Sequence, residues 1–284
     1  MSRTVYVNGE YVPEEAARIS VFDRGFLFAD AVYEVTSVLD GKLIDFPAHL
    51  RRLHRSLGEL EMPAPATDPE LTAIHRELVA RNAVTEGMVY MQVTRGAADR
   101  DFAYPPDPRP SLVVFTQSRP LEDTVAARDG IRVIAVPDIR WKRRDIKTVQ
   151  LLAPSMCKML ARKAGRDDAW LVEDGFVTEG TSSNAWIVNR DGAIVTRDLS
   201  TAILHGITRA VVLAVAREAR LRVEERPFTL AEARAAAEAF ITAASAYVTP
   251  VVEIDGTTIG DGRPGPLTRR LRELYLAESR RTAT

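Results

Sequence analysis

The sequence predicts an α+β protein of two domains, and three observations carry that reading. The chain has 284 residues with 46% hydrophobic and 27% charged content, enough to bury a substantial core. Its apolar residues alternate with period two in some segments and recur at helical spacing in others, without strict strand–helix–strand alternation. A polar stretch, Gln117–Thr124, contains Pro120 and reads as a connection between domains. The expected division is an N-terminal domain over 1–117, a linker over 118–124 and a C-terminal domain over 125–284.

The elements follow in order. Val5-Tyr6-Val7 and Tyr11-Val12 flank Asn8-Gly9, whose readiness for positive φ suits a two-residue hairpin turn. A strand follows around Ala31–Leu39 and ends at Asp40-Gly41. Leu50, Leu53, Leu57 and Leu60 place a helix over Phe46–Leu60, stopped by Pro63 and Pro65. A second helix begins at Asp68-Pro69-Glu70, with Asp68 as the expected N-cap. Strands fit Val89–Thr94 and Leu112–Thr116, and the Gly-, Asp- and Pro-rich stretch Arg95–Pro110 between them reads as a long loop of functional or mobile character. Further strands fit Ile131–Val136, Ala169–Glu173, Phe176–Val177, Ala185–Val188 and Ala193–Thr196. Helices fit Ser155–Ala164, Thr208–Ala219 and Ala231–Glu238, the last opening on a capping box from Thr229 to Glu232. A hairpin turning at Asp255-Gly256 and an Arg/Glu-rich helix end the chain.

Several function classes are disfavoured. A formal net charge of −1 gives no reason to expect nucleic acid or a membrane surface as partner. No run approaches the roughly 20 apolar residues of a membrane helix. Met1-Ser2-Arg3-Thr4 leads straight into a strand pattern without an apolar signal segment. Cys157 is the single cysteine, so no intrachain disulfide can form, which suits a reducing cytoplasm. His49 and His54 are five apart, not the four that would place zinc ligands on one helix face, and no metal site is expected. Dinucleotide and phosphate-loop glycine motifs are absent.

Three segments could carry chemistry. Five lysines stand against a large excess of arginine. Of these, Lys147 lies among Lys142, Arg143, Arg144 and the apolar Ile146, a setting that favours a neutral amine. Glu179, within Val177-Thr178-Glu179-Gly180-Thr181-Ser182-Ser183-Asn184, could set a carboxylate against a pyridine nitrogen. Leu204-His205-Gly206-Ile207-Thr208 runs from a glycine into a helix, where free amides and the Thr208 hydroxyl suit phosphate. Taken one at a time, each is more ordinarily a surface lysine, a loop acid and a plain loop-to-helix junction.

Taken in order, Asp23-Arg24-Gly25, Val32-Tyr33-Glu34, His49-Leu50-Arg51-Arg52-Leu53, Asp145-Ile146-Lys147, Thr178-Glu179-Gly180 and Gly206-Ile207-Thr208 resemble the fold-type IV pyridoxal-phosphate enzymes, and the D-amino-acid aminotransferases most closely. The resemblance spans nearly the whole chain. It implies a smaller N-terminal α/β domain and a larger C-terminal domain with a β-barrel-like core that carries the Schiff-base lysine. It also implies a homodimer binding pyridoxal 5'-phosphate between the domains, with a loop of the partner reaching the substrate pocket. By that resemblance Lys147 is the Schiff-base lysine and moves the substrate α-proton, and Glu179 keeps the pyridine nitrogen protonated. Arg52, Ile207 and Thr208 hold the phosphate, Leu204 packs on the ring, and Arg140 supports the site.

The same resemblance implies a ping-pong transaminase moving an amino group between a D-amino acid, such as D-alanine or D-glutamate, and a 2-oxo acid. The family traps the α-carboxylate with a tyrosine, an arginine and a histidine two residues further on. Tyr33 and Arg100 match the first two, and Phe102 stands where the histidine would be. Ala243 and Ala244 occupy a cofactor-lining turn in which relatives carry hydroxyl residues, so only backbone amides remain there. These departures leave the substrate open, with side activity on (R)-amines or the alternatives of a branched-chain L-amino-acid aminotransferase, an (R)-amine transaminase or an aminodeoxychorismate lyase; the rival of another class is a protein that binds the cofactor without turnover.

Overall fold

The structure, a computed structural model, describes residues 2–284. Its chain forms two compact units. One comprises the chain up to Pro120 with Ile146–Gln150 and Thr282–Thr284; the other comprises Leu121–Asp145 and Leu151–Arg281.

In the first unit the hairpin of β1 (Thr4–Val7) and β2 (Glu10–Pro13) turns through Asn8 and Gly9, both at positive φ. After the short α1 (Arg24–Phe28) come β3 (Ala31–Leu39) and β4 (Lys42–Leu43), then α2 (Phe46–Glu59), α3 (Asp68–Arg81), β5 (Gly87–Thr94) and β6 (Ser111–Ser118). The strands form an antiparallel sheet in the order β2-β1-β6-β5-β3-β4. Strand alternation turns Val32, Val89, Met91, Val93 and Val114 into one core, joined there by Leu50, Leu53 and Leu57 of α2 and Leu71 and Leu78 of α3. Each such side chain, once buried, contributes about 1.5–3 kcal/mol.

The second unit holds α4 (Val125–Asp129), β7 (Ile131–Pro137), α5 (Leu152–Lys163), β8 (Asp168–Glu173), β9 (Phe176–Gly180), β10 (Asn184–Val188) and β11 (Ile194–Thr196). These are followed by α6 (Ile207–Glu218), β12 (Val223–Glu225), α7 (Leu230–Ala235), β13 (Glu238–Ala243), β14 (Tyr247–Ile254), β15 (Thr257–Thr258) and α8 (Pro266–Thr282). Eight strands run β12-β11-β10-β13-β14-β7-β8-β9 in a curled half-barrel, and β15 pairs with β14. The sheet is mixed: β12 on β11, β14 on β7 and β7 on β8 are parallel pairs. Trp170, Phe228, Ile187 and Ile241 lie in its buried core.

Four expectations need correction. The segment carrying Lys147 was assigned to the domain over 125–284, but it packs with the first unit. Tyr33 N donates to Lys147 O at 3.0 Å and Val149 N to Ala31 O at 3.2 Å, so this segment extends the pairing of β3. The N-cap of α3 is Thr67 rather than Asp68, because Thr67 and Glu70 satisfy each other's backbone amides reciprocally. Helix α5 begins at Leu152, not Ser155, accepting Pro154 in its first turn, where no amide is required. Helix α7 ends at Ala235 instead of running to Glu238. Glu238 opens β13, and its carboxylate accepts from Leu267 N and Thr268 N at 3.0 and 2.8 Å, capping α8 from a distance in sequence that no local pattern reveals.

Candidate active site

In the first unit, Lys147 lies at the edge of β3. Its backbone N donates to Ser56 Oγ of α2 at 3.4 Å, and its Nζ sits 4.2 Å from the Tyr33 ring centroid. Among the described residues no carboxylate pairs with that amine, so it is not committed to a salt bridge. Tyr33 in turn stacks on Tyr90 at 5.4 Å and Tyr90 on Phe115 at 4.8 Å, a ladder across β3, β5 and β6.

Beside Tyr33 in sequence, and therefore on the opposite face of β3, Glu34 is buried. It accepts from Arg52 Nε and Nη2 at 2.8 and 2.7 Å and meets His49 Nδ1 at 2.7 Å. Burial alone would push the Glu34 carboxyl up; the fork of Arg52 and the His49 contact outweigh it and hold the group at about 2. His49 and Arg52 are three apart on α2 and so share a face. His49 is thus a partner of Glu34, and His54 pairs with Asp68 instead. No cluster of metal-ligating side chains occurs among the described residues.

The loop predicted over Arg95–Pro110 carries Arg100 and Phe102, both exposed. It is closely tied to the Asp23-Arg24-Gly25 turn. Asp23 accepts from Gly25 N, Thr94 Oγ1 and Ser111 Oγ, and buried Arg24 pairs with Asp30 at 2.8 Å.

In the second unit, Glu179 lies buried near the end of β9. Arg140 Nη1 donates to its Oε1 at 2.5 Å, Asn184 Nδ2 to its Oε2 at 3.0 Å, and the Leu204 amide to both oxygens at 3.2 and 3.1 Å. Arg140 is shared: it forks onto Asp138 at 2.9 and 2.7 Å, and Asp138 also accepts from Thr178 Oγ1. The two carboxylates respond differently. Burial raises Asp138, but the fork of Arg140 pulls it below the usual carboxylate range. At Glu179 burial prevails over Arg140 and the Leu204 amide, and the group is raised. Glu179 is therefore a buried acid whose charge stays costly despite its donors.

Asn184 ties this acid to the next element, since its Nδ2 also donates to Leu204 O at 2.9 Å. Gly206 caps α6 with no side-chain acceptor, so the amides of Ile207 and Thr208 stay available to an anion. A Cβ on Gly206 would stand 2.1 Å from Asn184 Oδ1, so any larger residue there has to displace the Asn184 amide. Ala243 ends β13, and Ala246 N donates to Ala243 O at 3.1 Å across the turn that holds Ala244. Arg272 Nη1 braces that turn through Ala246 O and Val248 O.

In the first unit the structure sets Lys147 against Tyr33 on one face of β3 and Arg52 on Glu34 on the other; in the second it gathers Arg140, Glu179 and Leu204 beside the α6 entry of Ile207 and Thr208. Sequence reasoning missed Asp138, Asn184 and the role of Glu34 and His49 around Arg52. Asp138-Ile139-Arg140 and the final residue of Thr178–Asn184 were the available signals. These residues fit pyridoxal phosphate: the raised buried acid suits a pyridinium, the uncapped helix suits a phosphate, and the unpaired lysine suits a carbonyl.

The model of the amino-transferase class IV family matches residues 31–254. A D-alanine aminotransferase of Staphylococcus haemolyticus is 39% identical over 272 residues, covering 95% of each chain. A D-alanine aminotransferase of Bacillus licheniformis is 38% identical, covering 98% of this chain and 99% of its own. Among solved structures, the branched-chain amino acid aminotransferase of Escherichia coli superposes with a TM-score of 0.91 at 22% identity, covering 98% of this chain and 95% of its own, which shows the fold. A T.th. branched-chain amino acid aminotransferase, solved with pyridoxamine 5'-phosphate, gives 0.90 at 28% identity, covering 99% of this chain and 95% of its own. The chain has the fold-type IV architecture and belongs to the class IV aminotransferase family.

Proposed function

We propose that the chain is a pyridoxal-phosphate-dependent transaminase that moves an amino group between a D-amino acid and a 2-oxo acid in a ping-pong cycle, working as a homodimer in the cytoplasm. The observation that carries the cofactor assignment is the buried Glu179 carboxylate, oriented by Arg140, Asn184 and the Leu204 amide. The substrate assignment is supported by D-alanine aminotransferases that are 39 and 38% identical over nearly the whole chain.

When bound, pyridoxal phosphate would supply an electron sink that acidifies the substrate's α-carbon. The residues of the chain do the rest. Glu179 keeps a proton on the ring nitrogen, while Arg140 and Asn184 keep Glu179 oriented. Lys147 is the attachment lysine, and its Nζ takes and returns the α-proton. Arg52, the amides of Ile207 and Thr208 and the Thr208 hydroxyl hold the phosphate. Leu204 would pack on the ring, and the backbone of Ala243 and Ala244 would line the site without hydroxyl contacts. Tyr33 and Arg100 hold the substrate carboxylate, with Phe102 making that end of the pocket more apolar.

Borohydride reduction of the holoenzyme followed by peptide mapping tests the assignment. The phosphopyridoxyl group is expected on the peptide containing Lys147, and the Lys147→Ala protein should retain cofactor only non-covalently and lose turnover. Label on Lys142, Lys158 or Lys163, or normal transamination by Lys147→Ala, would overturn it.

A further inference from the structure

The Arg95–Pro110 loop is fastened along its length by alternating arginines and aromatic rings. The Arg95 guanidinium lies 3.5 Å from the Tyr104 centroid, and the Arg24 guanidinium 5.8 Å from Tyr104 and 4.6 Å from Phe28. The Arg100 guanidinium lies 5.3 Å from Phe28 and 5.6 Å from Phe102, and the two rings meet edge to face at 5.6 Å. All four spacings to Phe28 and Phe102 fall within the range in which a cation is attracted to a ring face or two rings attract each other.

The foot of this ladder is buried and ionic. Asp30 Oδ2 accepts from both Arg24 Nε and Arg95 Nε at 2.8 Å. Arg95 also donates to the carbonyls of Leu60 and Glu61, and Arg24 to those of Asp101 and Ala103 in the loop itself. The loop's two ends close on each other at Gly96, at φ +94, where a Cβ would stand 1.9 Å from Arg109 O. Backbone and ions therefore fix the base of the loop, and the rings meet Arg100 at its tip. A loop of this length would otherwise be free to move.

We propose that Phe28 is a positioning residue for Arg100, with Phe102 as the outer member of the same seat: the two rings hold the guanidinium in place before a carboxylate arrives. The proposal rests on the reading of Arg100 as the carboxylate ligand. A long arginine left loose would lose side-chain freedom on binding each substrate; a seated one has already lost it. The seat is a weak attraction on each side, so its loss should appear in substrate affinity rather than in chemistry.

The test compares Phe28→Leu, Phe28→Tyr, Phe102→Leu and Arg100→Ala in the holoenzyme with D-alanine as donor. The same chains are also digested with limiting trypsin, which cuts after arginine. Phe28→Leu is expected to raise KM for D-alanine by roughly three- to tenfold with kcat within about twofold of the parent. Phe28→Tyr, which keeps the ring, should stay near the parent, and cleavage after Arg100 should accelerate in Phe28→Leu. Phe102→Leu should raise KM in the same sense and, because Phe102 is 80% exposed, tests the seat without risk to the fold. Unchanged KM and unchanged cleavage in both leucine variants, beside a raised KM in Arg100→Ala, would overturn the seat and leave Arg100 as the ligand. An unchanged KM in Arg100→Ala would remove the carboxylate reading and the seat with it.

Discussion

Glu34 shows how a single buried acid sets the terms for its neighbours. Its carboxylate is 1% exposed and its charge is matched by the fork of Arg52 and the contact with His49. Removing one partner of such a buried pair typically costs about 3–5 kcal/mol, because the other charge is left uncompensated. The folded carboxyl is held at about 2, below the ordinary 4.5, so the stabilisation is fully present above about pH 4.5 and is lost as pH falls through about 2. Glu34→Gln should therefore lower Tm strongly at pH 7, and the gap to the parent should narrow between pH 4.5 and 2. A gap that is constant across that window, in thermal melts at matched ionic strength, would show that the charge contributes nothing. Val32-Tyr33-Glu34 and His49–Leu53 were legible as motif members, but their pairing was not, because fifteen and eighteen residues separate the partners. Only the packing of α2 on β3 brings them together.

Helix α6 shows what an element end can do that its residues cannot do separately. Its first amides are free because Gly206 offers no cap, and Gly206 is there because Asn184, which also holds Glu179 and Leu204, occupies the space of a Cβ. Gly206→Ala is expected to displace Asn184 and so loosen both the acid and the helix entry. Cofactor affinity, measured by titrating the apoprotein and following quenching of its tryptophan fluorescence, should fall at least tenfold. Affinity within twofold of the parent would show that α6 and Asn184 are not coupled. Elements of this kind were readable where a local rule suffices: Asn8-Gly9 gave the hairpin, the leucine spacing gave α2, and Thr229–Glu232 gave the start of α7. Where α7 stops was not readable. Alanine-rich residues 235–237 favour a helix, but Phe240 and Ile241 are claimed by pairing to β10 and β14. The cap of α3 falls one residue before the expected Asp68 for a smaller reason, since Thr67 and Asp68 are both good caps and only the reciprocal bond to Glu70 decides between them.

At the scale of the whole molecule, the division into two units follows from packing rather than from chain order. Ile146–Gln150 lies between segments of the second unit in sequence, yet it bonds to β3 and buries Ile146 in the first unit's core. A linear reading could place the linker near Pro120 but had no means of seeing that Lys147 returns to the first unit. The lysine, the acid and the helix entry could be read as candidates only as an ordered set, since each alone has an ordinary reading, whereas Asp138 and Asn184 come into view only through their bonds to Arg140 and Glu179. The most direct test is a single-turnover half-reaction of the purified holoenzyme with D-alanine and with L-leucine, followed by cofactor absorbance. The expected result is conversion of the cofactor to its amine form by D-alanine at a rate at least a hundredfold above that with L-leucine; faster conversion by L-leucine would contradict the account.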